Sequence, residues 1–147
     1  MYTKQEISKQ KQAFWTAFGR YMKPVGSADG EEINWINYKT GNKYVQFKMD
    51  VDSRQAEIAV VVRHPAIHGQ RMYFDRLGQL KDIFEDSVGE RDWVWEPGTA
   101  ESVIRKTLSG VNLLKNEDWP AIISFLKPRI IGLDEFWSMV RYQFSGL

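Results

Sequence analysis

The sequence predicts an α+β fold over residues 1–147 as a single domain, and three observations carry that prediction. A capping-box pair opens an amphipathic run at the N-terminus. Strict alternation of apolar and polar residues follows in the middle, and a long apolar stretch with helical spacing closes the chain. A chain of this length can bury about two-thirds of its unfolded surface in one core.

Thr3 and Glu6 have the spacing at which each side chain satisfies a free N–H of the other's turn, so a first helix starts there. Ile7, Phe14, Phe18 and Tyr21 fall on one face of it. Pro24 and Gly26 end it in a polar loop. Three strands are predicted next, as an antiparallel meander. The first opens at Ile33 and turns back through "KTG". The second, Lys43 to Val51, sets Val45, Phe47, Met49 and Val51 on one face and Tyr44, Gln46, Lys48 and Asp50 on the other. The third, Gln55 to Arg63, turns Ala56, Ile58, Val60 and Val62 inward.

The register of the first hairpin decides where Trp35 points, because a one-residue slip moves every side chain to the other face. A three-residue loop with Gly41 in the left-handed conformation buries Trp35 and leaves Ile36 and Tyr38 on the outer face. A two-residue loop reverses this and exposes Trp35 beside Gln46 or Lys48. Burial of the larger ring favours the first.

Tyr73, Leu77, Leu80 and Phe84 mark a covering helix over Gln70 to Val88, stopped by Gly89. "DWVWE" and "SVIRKTL" add short strands to the same sheet. The last stretch opens with Asn116 or Asp118 as cap and Pro120 in the first turn. Pro128 is expected to divide it, with Ile130, Leu133, Phe136, Trp137, Val140 and Phe144 on the final piece.

Composition excludes several functions. The 20 basic and 19 acidic side chains give no overall positive field to attract nucleic acid. The first 23 residues do hold Lys4, Lys9, Lys11, Arg20 and Lys23 against Glu6 alone, a solvated basic helix face. The absence of cysteine removes disulfides, thiolate zinc sites and a Cys nucleophile. No apolar run is long enough to cross a bilayer and the N-terminus has no signal-peptide core, so a cytoplasmic chain without membrane attachment is expected.

Few residues point to chemistry. His64 and His68 are the only histidines and weak metal candidates, since Pro65 and Gly69 argue against a shared helix face. In "KMDVDSRQAEIA", Asp50, Asp52 and Glu57 sit on a strand pair, as do the Mg²⁺ ligands of restriction-type nucleases. The lysine two residues after the glutamate, which would stabilise developing charge, is replaced by Ala59. Phosphate-binding glycine loops, nucleophile elbows and dinucleotide fingerprints are missing, and no cofactor is implied. Tyr38, Tyr44, Gln46 and Lys48 combine aromatic planes with donors on the outer sheet face, a composition suited to protein contacts or to stacking on single-stranded bases. A ligand pocket around Trp93, Trp95, His64 and His68 is a third option resting on composition alone.

The runs "FWTAFGRY", "NWINYKTGNKYVQFKMD", "RMYFDRLGQLKDIFEDSVGE" before "WVW", and "NEDWPAIISFLKPRIIGLDEFW" resemble a bacterial family known as domain of unknown function 4268. The resemblance implies a chain found alone or at the C-terminal end of longer chains that begin with a restriction-endonuclease-like domain. It thereby implies a setting of DNA restriction or defence, and it supplies no catalytic residues. A non-catalytic interaction module for protein or nucleic acid is the leading expectation. A divergent Mg²⁺-dependent nuclease using Asp50, Asp52 and Glu57 is the alternative.

Overall fold

A computed structural model describes residues 2–147 and shows an antiparallel four-stranded sheet with its helices on one face. Helix α1 spans Lys4–Met22, and the Thr3 hydroxyl accepts the Glu6 N–H at 3.1 Å, as the spacing predicts. Phe14, Phe18 and Met22 are buried, whereas Tyr21, expected on the apolar face, is 59% exposed.

Strands β1 (Val45–Val51) and β2 (Gln55–Val62) form the hairpin that the alternation predicts. The carboxylate of Asp52 takes the N–H groups of Arg54 and Gln55, which closes the turn between them. After two helices, β3 (Val94–Glu96) and β4 (Ser102–Ser109) join the same sheet, in the order β1-β2-β4-β3. Strand β4 is thus inserted beside β2, and β1 and β3 are the sheet edges.

The predicted first strand does not form. Residues 33–40 are irregular, because side chains take the amides that a ladder would need. Asn34 Oδ1 accepts the N–H of Ile36 and Asn37, Thr40 Oγ1 that of Asn42, and Asn42 Oδ1 that of Tyr44. Trp35 is buried, as the favoured register expects, but from a loop, with its indole N–H on the Val25 carbonyl at 2.9 Å. Gly41 has φ +79°, the left-handed conformation anticipated for it.

The covering helix is two helices, α2 (Ile67–Gln79) and α3 (Lys81–Val88), joined at buried Leu80. Gly89, at φ +74°, ends α3. Helix α4 runs unbroken over Trp119–Val140, which corrects the division expected at Pro128. Pro128 and Ser124 both lie on its exposed side, so the carbonyl deprived of a donor by the proline ring belongs to a water-facing residue. Asp118 stands at the N-cap position, as expected, but its carboxylate accepts the Asn112 N–H at 2.9 Å and not an amide of the helix.

The core lies between the inner sheet face and the helices. Ile58, Leu77, Phe84, Ile104, Leu133 and Phe136 are all fully enclosed in it. At Gly132 an added Cβ would stand 2.8 Å from the Ser87 carbonyl oxygen, so only glycine lets α4 lie this close to the end of α3. Among the described residues no helix is long and apolar enough to cross a membrane.

Candidate functional site at the free edge of the sheet

The missing first strand leaves the outer edge of β1 without a neighbour. Arg63 N–H donates to the Tyr44 carbonyl and Asp52 N–H to the Gln55 carbonyl, which fixes the hydrogen-bonded pairs of the hairpin. Such pairs recur every second residue in an antiparallel ladder. The main-chain groups of Gln46, Lys48 and Asp50 therefore face β2, and those of Val45, Phe47, Met49 and Val51 face away from the sheet. Val45 is satisfied, its N–H on the Asn42 carbonyl and its carbonyl accepting the Thr40 hydroxyl. Val51 N–H goes to the Asp50 carboxylate. For the main chain of Phe47 and Met49 no partner exists among the described residues on this edge.

A groove of about 500 Å³ lies along that edge, between residues 36–39 and residues 46–50. Tyr38, Gln46 and Lys48 line it, so three of the four residues picked from the sequence meet there. Their positions differ from expectation in two respects. Tyr38 is not on the outer face: its ring stacks on Phe47 with centroids 5.0 Å apart, on the inner side. Ile36 likewise turns toward α1, where it meets Gly19. Tyr44, the fourth residue, stands apart and half-buried, with His64 at 4.1 Å and Tyr73 at 5.6 Å between ring centroids.

Among the described residues no helix covers the outer sheet face. Its floor is Ala59, Val61 and Val103, a small apolar cluster shielded by long charged side chains. Arg63 pairs with Glu101 at 2.7 Å, and Arg105 lies 3.2 Å from Glu96 and 3.8 Å from Glu57. The Arg63 hydrogen bond holds the Glu101 carboxyl below its ordinary value. Lys48, Arg63 and Arg105 thus stand among Asp50, Glu57, Glu96 and Glu101, a balanced mosaic and not a positive patch.

Of the three carboxylates in the nuclease alternative, two stand together and the third is apart. Asp50 and Glu57 are cross-strand partners on this face. Asp52 is held in the turn by two backbone N–H groups. His64 Nδ1 accepts the Ala66 N–H at 3.0 Å, with its ring packed over Gly69, while His68 is exposed on the first turn of α2. Among the described residues no three His, Cys, Asp or Glu side chains are grouped to hold a metal ion. Trp93 and Trp95 belong with Phe84, in a different aromatic cluster from His64.

Sequence reasoning overlooked Asp134, a carboxylate 4% exposed on the buried side of α4. It accepts the Tyr38 hydroxyl at 2.5 Å and the Ala28 N–H at 2.7 Å, and so ties the loop that walls the groove to the core helix. Its place at the helical interval of Ile130, Leu133 and Trp137 was the available signal. Burial, followed by the bond to Asp134, raises the Tyr38 hydroxyl above its ordinary value of 10.0.

Fold and edge together define an α+β chain with one helix-covered sheet face, one open face and a free edge strand. The family described as Domain of unknown function (DUF4268) matches residues 10–141, and the chain belongs to it. No curated protein and no solved structure gives a match to the chain.

Proposed function

We propose that this chain is a non-catalytic interaction module of the cytoplasm that docks protein along the β1 edge and the adjoining outer face. The unpaired main chain of Phe47 and Met49, set in a groove with Tyr38, Gln46 and Lys48, carries this reading. An exposed strand edge is a template for an added strand, with main-chain bonds giving affinity and alternate side chains giving specificity. The charge-balanced outer face favours protein over nucleic acid, since phosphate binding needs uncompensated cations. In a bacterial restriction or defence setting, such a module would act in assembly beside a DNA-acting component.

Selection from a displayed random-peptide library tests the reading. The Met49 N–H faces away from β2, so Met49→Pro removes an edge donor and leaves the hairpin ladder whole. Peptides selected on the wild type should lose binding to Met49→Pro. Enrichment of none, or equal binding to both chains, contradicts the proposal.

The nuclease alternative has one observation in its favour: Asp50 faces Glu57 across the hairpin, with Lys48 and Arg105 on either side of Ala59. Plasmid cleavage in Mg²⁺ or Mn²⁺, abolished by Glu57→Ala, would establish it in place of the module. Intact plasmid under both metals removes it.

A further inference from the structure

The free edge has a pattern that complements itself, and this names a partner for the groove; the inference rests on the interaction-module reading. Along the outer face of β1, Gln46, Lys48 and Asp50 alternate with Phe47, Met49 and Val51 on the inner face. In a two-fold antiparallel pairing of identical strands, the residue on the axis decides which side chains stand opposite each other. An axis at Lys48 puts two lysines face to face, and one at Asp50 does the same for two aspartates. An axis at Phe47 needs the main chain of Val45, which Asn42 and Thr40 already occupy. An axis at Met49 sets Lys48 opposite Asp50 twice, on the same face, and Phe47 opposite Val51 twice beneath them. This pairing joins the free main chain of Met49 to its copy without like charges in contact, and it asks only the Val51 N–H to leave the adjoining Asp50 carboxylate for the partner's Phe47 carbonyl.

We propose that β1 pairs with β1 of a second copy about an axis through Met49, joining two four-stranded sheets into one. The groove between the edge and residues 36–39 is the space that the incoming strand enters. The irregular 33–40 segment gains a purpose in this arrangement. With the Ile36 and Asn37 amides on Asn34, and those of Asn42 and Tyr44 on Thr40 and Asn42, the segment and the turn after it keep the edge open for a second chain.

Sedimentation velocity of the full chain over a concentration series tests this. The wild type should dimerise. Lys48→Asp and Asp50→Lys, each alone, create like-charge pairs and should weaken the dimer about tenfold or more. The double exchange should restore it, and an equimolar mixture of the two single variants should form a heterodimer. Both positions are exposed, so the variants are expected to fold, with thermal melting as the check. The absence of cysteine allows a second readout that does not depend on charge. Met49→Cys, on the axis, should give a covalent dimer on oxidation while Tyr21→Cys, on α1, does not, because paired Cα atoms about 5.5 Å apart suit a disulfide. A dimer indifferent to the single exchanges, or cross-linked equally well from Tyr21→Cys, overturns the pairing. A chain that stays monomeric yet selects peptides dependent on the Met49 donor overturns self-pairing and leaves the module standing. A monomer that selects none ends both.

Discussion

The Tyr38 hydroxyl donates to Asp134 Oδ1 at 2.5 Å, joining residues 96 positions apart in sequence. This bond fixes the wall of the edge groove to the central helix, since Tyr38 also stacks on Phe47 of β1. Tyr38→Phe removes a hydrogen bond to a buried carboxylate and should lower stability by about 1.5–3 kcal/mol. Asp134→Ala strands both the Ala28 N–H and the Tyr38 O–H and should cost about 2–4 kcal/mol. Urea unfolding of both single variants and the double variant checks this: non-additive losses are expected, and additive ones would dissociate the pair.

The same bond sets an alkaline limit. The folded chain holds the Tyr38 proton above the ordinary value of 10.0, through burial and the bond to Asp134. From that value upward the unfolded chain releases a proton that the folded chain keeps, so stability is whole below pH 10 and falls as pH rises further. Thermal melting across the alkaline range should show a shallower decline for Tyr38→Phe.

An acid limit comes from Glu90. Partial burial pushes its carboxyl up, but hydrogen bonds from Arg129 and Trp93 and the charges of Arg129 and Lys106 outweigh this and lower it from 4.5. A depressed carboxylate stabilises the fold above its unfolded value and loses that contribution as pH falls through the folded one. Glu90→Gln should therefore lower the melting temperature at pH 7 and flatten the decline below pH 4.5.

Much of this fold is legible in the sequence. Where one periodicity meets one environment, as in Val45 to Val51 or Gln55 to Val62, the alternation places the strand and its faces. The Thr3 cap and Gly89 stop are legible because their geometry is local. The segment Ile33 to Lys39 misleads because its Trp, Ile and Tyr suit a strand, while Asn34 offers the Ile36 and Asn37 amides a closer partner. Pro128 misleads because the cost of a helical proline depends on whether the freed carbonyl reaches water, a tertiary matter. Of the candidate site, Gln46 and Lys48 were visible from the strand pattern, whereas Tyr38 depends on a loop fold that only its bond to Asp134 explains.

Helix packing yields a further prediction at Gly132. Alanine is the better helix former by about 1 kcal/mol, yet its Cβ would press on the Ser87 carbonyl and Val88 Cα, both rigid backbone. Overpacking wins, and Gly132→Ala should destabilise by about 1–3 kcal/mol in chemical denaturation.

Amide hydrogen exchange of the dilute chain by NMR tests the open edge of β1 most directly. Gln46 and Lys48 donate to β2 and should exchange slowly, while Phe47 and Met49 point away and should exchange fast. The two fast amides should slow together once a partner strand is in place. Equal protection of all four in the dilute chain would contradict the free edge, and with it the interaction surface built on it.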